Sequence, residues 1–127
     1  MRCVVQKVNH SSVKVDGKIV NEIQRGLMVL VGFTDTDTID DINYCVKKVA
    51  NLRVFEDEND VMNLSVIDVG GSVLSISQFT LYGDVKKGNR PSYIRALSGE
   101  KAKPMYEKFN ELLNDGPTTI IIDSELR

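Results

Sequence analysis

Hydrophobic and polar residues alternate along the first part of the chain, and this pattern predicts short β-strands. Val13 and Val15 precede Asp16-Gly17, a favoured two-residue hairpin turn because both positions tolerate positive φ. The continuous apolar run at residues 27–31 predicts a strand that is buried on both faces. The pattern therefore begins with a hairpin that is followed by a central strand.

Two stretches have the apolar spacing of amphipathic helices. In the first, Thr38 and Asp41 resemble a capping box, and the stripe that follows consists of Ile39, Ile42, Val46 and Val49. In the second, the apolar face consists of Met105, Tyr106, Phe109, Leu112 and Leu113. We place Pro104 in the first turn of that helix, where a missing N–H costs little.

The remaining apolar segments predict further strands. A short strand is expected at residues 53–55, another from Val73, and a central strand in the β-branched run at residues 118–123. Two helices packed against a mixed or antiparallel sheet, or against a small barrel-like sheet, give an α/β (α+β) domain. A chain of 127 residues fits a single domain, residues 1–127.

The strand that starts at Val73 carries polar side chains at its far end. If it continues to Tyr82, Ser77 lies on one face and Gln78 and Thr80 lie on the other. A glycine and a charged loop follow directly. A strand that leaves the core with polar groups is a common place for a reaction site.

Composition and charge narrow the class of protein. The chain is 42% hydrophobic and 27% charged, which is ordinary for a soluble globular protein, and no apolar run is long enough to span a membrane. The N-terminus starts a strand pattern and does not resemble a signal peptide, so a cytoplasmic location is expected. The net charge of −2 argues against broad, sequence-independent nucleic-acid binding.

Few side chains suit metal binding or a conventional triad. Cys3 and Cys45 are far apart in sequence, and we interpret them as small apolar residues in a reducing compartment. A Ser-His-Asp triad would have to depend on His10, the single histidine. We therefore expect neither a metal nor another cofactor. Any hydrolysis would use a mechanism other than a Ser-His-Asp triad.

The chain resembles the D-aminoacyl-tRNA deacylase family over nearly its whole length and in the same order. The matching segments are residues 1–8, 51–57, 62–65, the hexapeptide at 77–82, and 114–119, which resembles the family's Gly-cis-Pro motif. A loop and a strand that normally precede Asn114 in the family are absent, either by deletion or because residues are missing from this sequence. Lys7 stands where many relatives have arginine.

The resemblance implies an activity and partners. Family members hydrolyse the ester that joins a D-amino acid to the 3′ end of tRNA, which is chiral proofreading in translation. Action on glycyl-tRNA mischarged on tRNA(Ala) is implied as well. The resemblance also implies a homodimer, with the aminoacylated 3′ end of tRNA as partner, and we expect no membrane or DNA partner.

The resemblance also implies roles for the hexapeptide. Ser77, Gln78, Phe79 and Thr80 would be catalytic. The N–H groups around Phe79 and Thr80 would hold the ester carbonyl, Gln78 would orient it, and Ser77 would support the site by hydrogen bonding. The terminal 2′-hydroxyl of the tRNA would assist the reaction.

Other positions are implied to bind substrate. Gly116 and Pro117, with Met62, would contact the substrate and exclude the L form, the Gly-Pro pair reaching into the neighbouring subunit. A second group, Lys86, Lys87 and Arg90, would contact the tRNA. Without the resemblance, each assignment has an alternative. Residues 114–117 also resemble a helix stop signal. The cationic group also resembles a solvated loop tip.

Two other functions are compatible with the sequence. The first is a catalytically impaired module that binds the tRNA end, if the absent segment removes activity. The second is a small-ester hydrolase in which Thr80 is the nucleophile, which would require an activating base from elsewhere in the fold. Without the resemblance, the hydroxyls of Ser77 and Thr80 would suit cross-strand pairing equally well.

Overall fold

The computed structural model describes residues 1–114 and 118–122 of the chain. The elements in chain order are β1 (Arg2–Val8), β2 (Ser11–Val15), β3 (Lys18–Ile23), β4 (Gly26–Gly32), α1 (Ile39–Asn51), β5 (Phe55–Glu56), β6 (Met62–Leu64), β7 (Ser72–Ser77), a 3-10 helix (Phe79–Tyr82), α2 (Gly99–Leu113) and β8 (Thr118–Ile122).

The main sheet has four strands in the order β1-β4-β7-β8. β1 is antiparallel to β4, whereas β4, β7 and β8 are parallel to one another. The sheet is mixed and is packed with two helices, which confirms the predicted α/β class. The prediction of a central strand at residues 118–123 was wrong, because β8 lies at one end of the sheet order. β3 also contacts β8.

The two faces of the sheet are covered by different elements. Leu27, Val29 and Val31 are fully buried against the helices, where they share a core with Val49 and Phe109. On the opposite face, Leu74 and Ile76 pack with Ile23 of β3, and Met28 and Leu30 lie against this smaller cluster. The predicted strand at residues 27–31 is therefore present, with one face fully buried and with Met28 and Leu30 on the other face partly buried.

A buried polar contact fixes α2 against β7. The hydroxyl of Tyr106 donates to the carbonyl oxygen of Ser75 at 2.8 Å, and the Ser75 hydroxyl lies 3.1 Å from the same Tyr106 oxygen. Ser75 is fully buried and Tyr106 is 3% exposed. An unpaired buried polar group lowers the stability of the fold, so this contact fixes the position of α2 against β7.

The predicted turn and helix start are both present. Asp16 and Gly17 have φ values of 52° and 77°, the positive pair that a tight hairpin turn needs. At the start of α1 the Thr38 N–H donates to the Asp41 carboxylate at 2.8 Å, and the reciprocal capping box is complete.

The start of α2 corrects one prediction. The helix begins at Gly99, so Pro104 lies in its second turn and not in its first. The carbonyl oxygen of Ser98 accepts the N–H groups of Lys101 at 3.0 Å and Ala102 at 2.8 Å, which starts the helix before the apolar face begins. The short strand predicted at residues 53–55 is also displaced, to Phe55–Glu56.

The two cysteines lie on neighbouring elements and are both free thiols. Cys3 is on β1 and Cys45 is on α1, and each packs against the main core. Burial raises the pKa of the Cys3 thiol and also that of Cys45. Both groups are therefore poor nucleophiles at neutral pH.

None of the helices within residues 1–114 is long and apolar enough to cross a membrane.

Candidate active site

The candidate site forms where two parallel strands end together. β4 and β7 pair in register from Gly26 and Ser72 to Val31 and Ser77, so their carboxyl ends meet at one edge of the sheet. The ladder continues one step further, since the N–H of Gln78 donates to the carbonyl oxygen of Val31 at 2.8 Å. Polar groups at such an edge are positioned by a rigid scaffold.

The chain turns sharply immediately after this edge. The predicted strand to Tyr82 ends at Ser77, and Phe79–Tyr82 forms a 3-10 helix. Gln78 is still extended, with φ −146° and ψ 98°, and its carbonyl oxygen accepts the Leu81 N–H at 3.4 Å. The predicted strand faces therefore do not exist beyond Ser77, because the local 3-10 bonds replace the ladder.

Gly32 makes room for this turn. A Cβ at position 32 would lie 3.0 Å from the carbonyl oxygen of Gln78 and 3.2 Å from the Cβ of Leu81. Both contacts are tighter than ordinary packing, and one of them is to backbone. The glycine at the end of β4 therefore permits the close approach of the segment that carries the predicted site.

A cavity of about 390 Å³ opens beside this turn. One wall is the sheet edge and the 3-10 helix, and the other is the segment that leads into α2. The lining residues are Val31, Gly32, Phe33, Ser77, Phe79, Tyr93, Ala96, Leu97, Ser98, Gly99 and Ala102. The volume and the mostly apolar lining are typical of a small-molecule site.

Backbone hydrogen bonds hold the two walls together. The Leu97 N–H donates to the carbonyl oxygen of Phe33 at 3.0 Å, and Thr34 forms an isolated bridge with Ala96. The Thr34 hydroxyl also donates to the Arg95 carbonyl oxygen at 2.5 Å. The wall formed by residues 93–102 is therefore attached to the end of β4.

Two aromatic rings form the rim of the cavity. Phe79 and Tyr93 meet edge to face, with centroids 5.1 Å apart and ring planes at 72°. Both rings are substantially solvent-exposed, Phe79 at 52% and Tyr93 at 39%. An exposed aromatic pair at a cavity mouth can stack on a planar ligand group.

The chemical groups of the site are mainly hydrogen-bonding groups. Among the described residues that line the cavity, none carries a carboxylate, imidazole, amine or thiol. The N–H groups of Phe79 and Thr80 start the 3-10 helix, and within residues 1–114 neither has a backbone acceptor. These two N–H groups are therefore available as donors to an oxygen atom, whereas the described lining residues supply no general base.

Gln78 and Thr80 interact with each other at the edge of the cavity. The Gln78 side-chain amide donates to the Thr80 hydroxyl oxygen at 2.5 Å. Of the four residues predicted to be catalytic, Ser77 and Phe79 line the cavity, while Gln78 and Thr80 do not. The four are nevertheless adjacent, and their roles stay a prediction.

Met62 lies outside this cavity. It is the first residue of β6, is 62% exposed and pairs with Glu56 of β5. Its predicted role in substrate binding stays a prediction, since within the described chain it does not line the cavity.

The predicted cationic group lies in the loop that follows the 3-10 helix. Lys87 and Arg90 line a second cavity of about 240 Å³ together with Asp84, whereas Lys86 does not line it. The Lys86 N–H donates to the Asp84 carboxylate at 2.8 Å. The structure thus brings two of the three cations together, with a carboxylate beside them.

Gly116 and Pro117 lie outside the described residues, and with them the predicted cis bond. The next residue along the chain is described, because Thr118 pairs with Ser72 at the start of β7. Ser77 lies five residues further along β7, or about 17 Å at the usual rise per residue. Thr118 and the predicted catalytic segment are therefore at opposite ends of β7 within one chain.

His10 is also remote from the cavity. Its Nε2 atom lies 2.8 Å from the Glu22 carboxylate, and both side chains are exposed. Val8, two residues earlier, pairs with Gly26 at the opposite end of β4 from Gly32. A triad built on His10 is therefore not formed at this site.

Sequence reasoning missed the second wall of the cavity. Tyr93, Leu97 and Ser98 were not predicted as site residues, although Ser98 precedes a helical pattern and serine is a favoured N-cap. That signal could have placed the helix start correctly, but not its position beside Phe79. Within residues 1–114 and 118–122 there is no cluster of side chains that could hold a metal ion.

Comparison with known proteins decides the family. The model of the family described as D-Tyr-tRNA(Tyr) deacylase matches residues 4–116. This chain belongs to that family. It is 51% identical over 146 residues to the D-aminoacyl-tRNA deacylase of Clostridium novyi (strain NT), with 98% of each chain covered. It is 50% identical to the D-aminoacyl-tRNA deacylase of Shouchella clausii (strain KSM-K16), covering 98% of this chain and all of the other.

Solved structures agree with the deacylase family fold. The c-Myc DNA Unwinding Element Binding Protein is 40% identical, with a TM-score of 0.89 over 97% of this chain and 83% of that chain. A probable eukaryotic D-amino acid tRNA deacylase shares the fold at 20% identity and a TM-score of 0.73. The name of the first protein refers to DNA, and the expectation that this chain has no DNA partner stays a prediction.

Proposed function

We propose that this chain hydrolyses the ester bond of D-aminoacyl-tRNA and releases the free D-amino acid and tRNA. The observation that carries the proposal is the family match over residues 4–116, which includes the whole cavity and its Ser77–Tyr82 segment. Relatives named D-aminoacyl-tRNA deacylase align with nearly the full chain. The chain is therefore an enzyme of the class that acts on ester bonds.

Backbone N–H groups would stabilise the reacting carbonyl. The N–H groups of Phe79 and Thr80 have no backbone acceptor within residues 1–114, and they lie at the start of a 3-10 helix next to the cavity. An ester carbonyl placed there would receive two donors as negative charge develops on its oxygen. Gln78 would orient the substrate and Ser77 would support it from the cavity wall.

The attack would not depend on a protein base. Among the described residues that line the cavity, none carries a carboxylate, imidazole or amine. The terminal 2′-hydroxyl of the tRNA, which the family resemblance implies, is the group proposed to assist. Thr80 as a true nucleophile is less well supported, because its hydroxyl oxygen already accepts a hydrogen bond from Gln78. A nucleophilic hydroxyl needs a base beside it.

Chirality would be enforced across a subunit interface. Thr118 lies at the opposite end of β7 from Ser77, about 17 Å away along the strand, and Gly116 and Pro117 are proposed to act at the cavity of the partner in a homodimer. A two-fold axis gives each subunit's motif access to the other subunit's cavity. Met62 and the cations Lys86, Lys87 and Arg90 are proposed as further substrate contacts.

The absent segment before Asn114 defines the main alternative. The alignment with the Clostridium novyi protein runs over 146 residues, 19 more than the 127 of this chain. Either a deletion or residues missing from this sequence would give such a difference, and a module that binds the tRNA end without hydrolysis is the second candidate. We also propose action on glycyl-tRNA mischarged on tRNA(Ala). The proposed location is the cytoplasm, where charged tRNA is used.

Incubation with D-tyrosyl-tRNA and L-tyrosyl-tRNA tests these proposals directly. The expected result is release of D-tyrosine and retention of the L-ester. Tight tRNA binding without release of either amino acid would favour the binding module over the enzyme. Hydrolysis of simple esters without tRNA, abolished by Thr80→Ala, would instead identify a small-ester hydrolase.

A further inference from the structure

Two arginines that are distant in sequence both contact the ring of Tyr82, the last residue of the 3-10 helix. The Cζ atom of Arg2 lies 4.5 Å from the centroid of the Tyr82 ring, and that of Arg95 lies 5.7 Å from the same centroid. The ring is 4% exposed, whereas both arginines are exposed. Both guanidinium groups therefore lie over the same buried aromatic ring.

Backbone contacts fix both arginines next to the cavity. Arg2 pairs with Gly32 in the β1–β4 ladder, and Gly32 lines the cavity. The Arg2 guanidinium donates to the Leu81 carbonyl oxygen at 2.7 Å. The Arg95 carbonyl oxygen accepts the Thr34 hydroxyl at 2.5 Å, and the neighbouring residue Ala96 lines the cavity.

The positive charge of the two guanidinium groups is not neutralised by a carboxylate of the described residues. Within residues 1–114, no carboxylate forms an ion pair with Arg2 or Arg95. The carboxylate that acts electrostatically on Tyr82 is Asp37, which is already bound by the Met1 ammonium group and by the Thr34 N–H. The cavity lined by Lys87 and Arg90 differs in its charge, because the Asp84 carboxylate lines it as well.

We infer that Arg2 and Arg95 form a binding site for phosphodiester groups of the single-stranded 3′ end of tRNA. The inference rests on the proposed function, since it adds a binding site to the same substrate. Arginine binds phosphate through several N–H donors, and a guanidinium that already stacks on a ring loses little freedom when it binds.

The decisive measurement is the salt dependence of tRNA binding, which does not require catalysis. The dissociation constant of uncharged tRNA would be measured over a range of KCl concentrations for wild type, Arg2→Gln, Arg95→Gln and Arg95→Lys. Each Gln variant should weaken binding by about 3- to 10-fold and lower the slope of log affinity against log salt by about 0.7. Arg95→Lys should keep most of the slope, because it keeps the charge.

Lys18→Gln is the matched control for loss of one positive charge. Lys18 is exposed at the start of β3, on the hairpin that covers the other face of the sheet. Equal slopes for Lys18→Gln and the two arginine variants would overturn the inference. So would a loss of slope in Arg95→Lys as large as that in Arg95→Gln.

A second substrate distinguishes loss of phosphate binding from loss of the contacts that the two arginines make with Tyr82. D-tyrosyl-adenosine has the ester and the nucleoside but no phosphodiester, so its kcat/KM should change less than twofold in both Gln variants. Equal losses with D-tyrosyl-adenosine and D-tyrosyl-tRNA would show that the arginines only hold the 3-10 helix. If wild type hydrolyses neither substrate, the proposed function has failed, and the tRNA-binding slopes still decide the role of the arginines.

Discussion

The Phe79 and Tyr93 rings meet edge to face at the mouth of the cavity, with centroids 5.1 Å apart. The contact joins the 3-10 helix to the segment that leads into α2, so it links the two walls of the proposed active site. Tyr93 also lies against Gly83, where a Cβ would come within 3.1 Å of the Tyr93 ring. The rim is therefore built from residues that the sequence places well apart.

This ring pair should contribute to substrate binding as a unit. Phe79→Leu and Tyr93→Leu should each raise KM for D-aminoacyl-tRNA, and the double variant should show a coupling of about 0.5–1.5 kcal/mol. The measurement is a double-mutant cycle in kcat/KM, with Tyr44→Leu as the control because Tyr44 is 63% exposed on α1. Additive effects of the two substitutions would contradict a joint role.

The Phe79 N–H can be removed with little change to the backbone. Proline suits the first position of a helical turn, and the preceding residue, Gln78, already has the extended conformation that proline requires before it. Phe79→Pro should lower kcat about 100- to 1,000-fold relative to Phe79→Ala, which also loses the ring but keeps the N–H. Similar kcat values for the two variants, with circular dichroism showing both folded, would exclude this N–H as an oxyanion donor.

Cross-subunit action predicts complementation between inactive variants. Phe79→Pro disables the cavity, and Pro117→Ala disables the motif proposed to come from the partner. Refolding the two together should restore about a quarter of wild-type activity, because half the dimers are mixed and each mixed dimer has one complete site. No recovery in the mixture, with sedimentation showing exchanged dimers, would place both segments in the same subunit's site.

Gly26 should be essential for pairing of the strands that carry the site. A Cβ at position 26 would collide with the Ser72 carbonyl oxygen and also approach other backbone atoms of Ser72. Gly26→Ala should lower the free energy of unfolding by about 3 kcal/mol or more, since backbone atoms cannot move aside easily. Urea denaturation would measure this loss.

Gly88→Ala provides the control for that substitution. A Cβ at position 88 would meet no atom within 4 Å, so the change should stay within about 0.5 kcal/mol. A Gly26→Ala protein as stable as Gly88→Ala would show that β4 and β7 tolerate a wider separation than the structure has.

Local sequence signals predicted the elements whose causes are local. The Asp16-Gly17 turn follows from positive φ at adjacent positions, and the start of α1 follows from reciprocal hydrogen bonds between Thr38 and Asp41. The apolar run at residues 27–31 predicted a buried strand because a short continuous apolar run that follows a glycine is typical of one, and its side chains pack on both faces of the sheet. Each of these features involves residues within a few positions of one another.

The end of β7 could not be predicted in this way. The residues from Phe79 to Tyr82 are good strand formers, yet they form a 3-10 helix because Gly32 of a neighbouring strand lets the chain turn against it. Pro104 was misplaced for a different reason. The helix begins directly after Ser98, a favoured N-cap residue, and therefore earlier than the apolar face on which the prediction was based.

The sequence by itself determined the family, the mixed α/β class and the segment from Ser77 to Thr80 at which the site is proposed, because each depends on residue types in order along the chain. Only the tertiary structure decided what surrounds that segment. Tyr93 reaches Phe79 through the attachment of residues 93–102 to β4, and Arg2 and Arg95 both lie over the Tyr82 ring. Strand pairing and loop attachment bring these residues together, and neither leaves a local pattern in sequence.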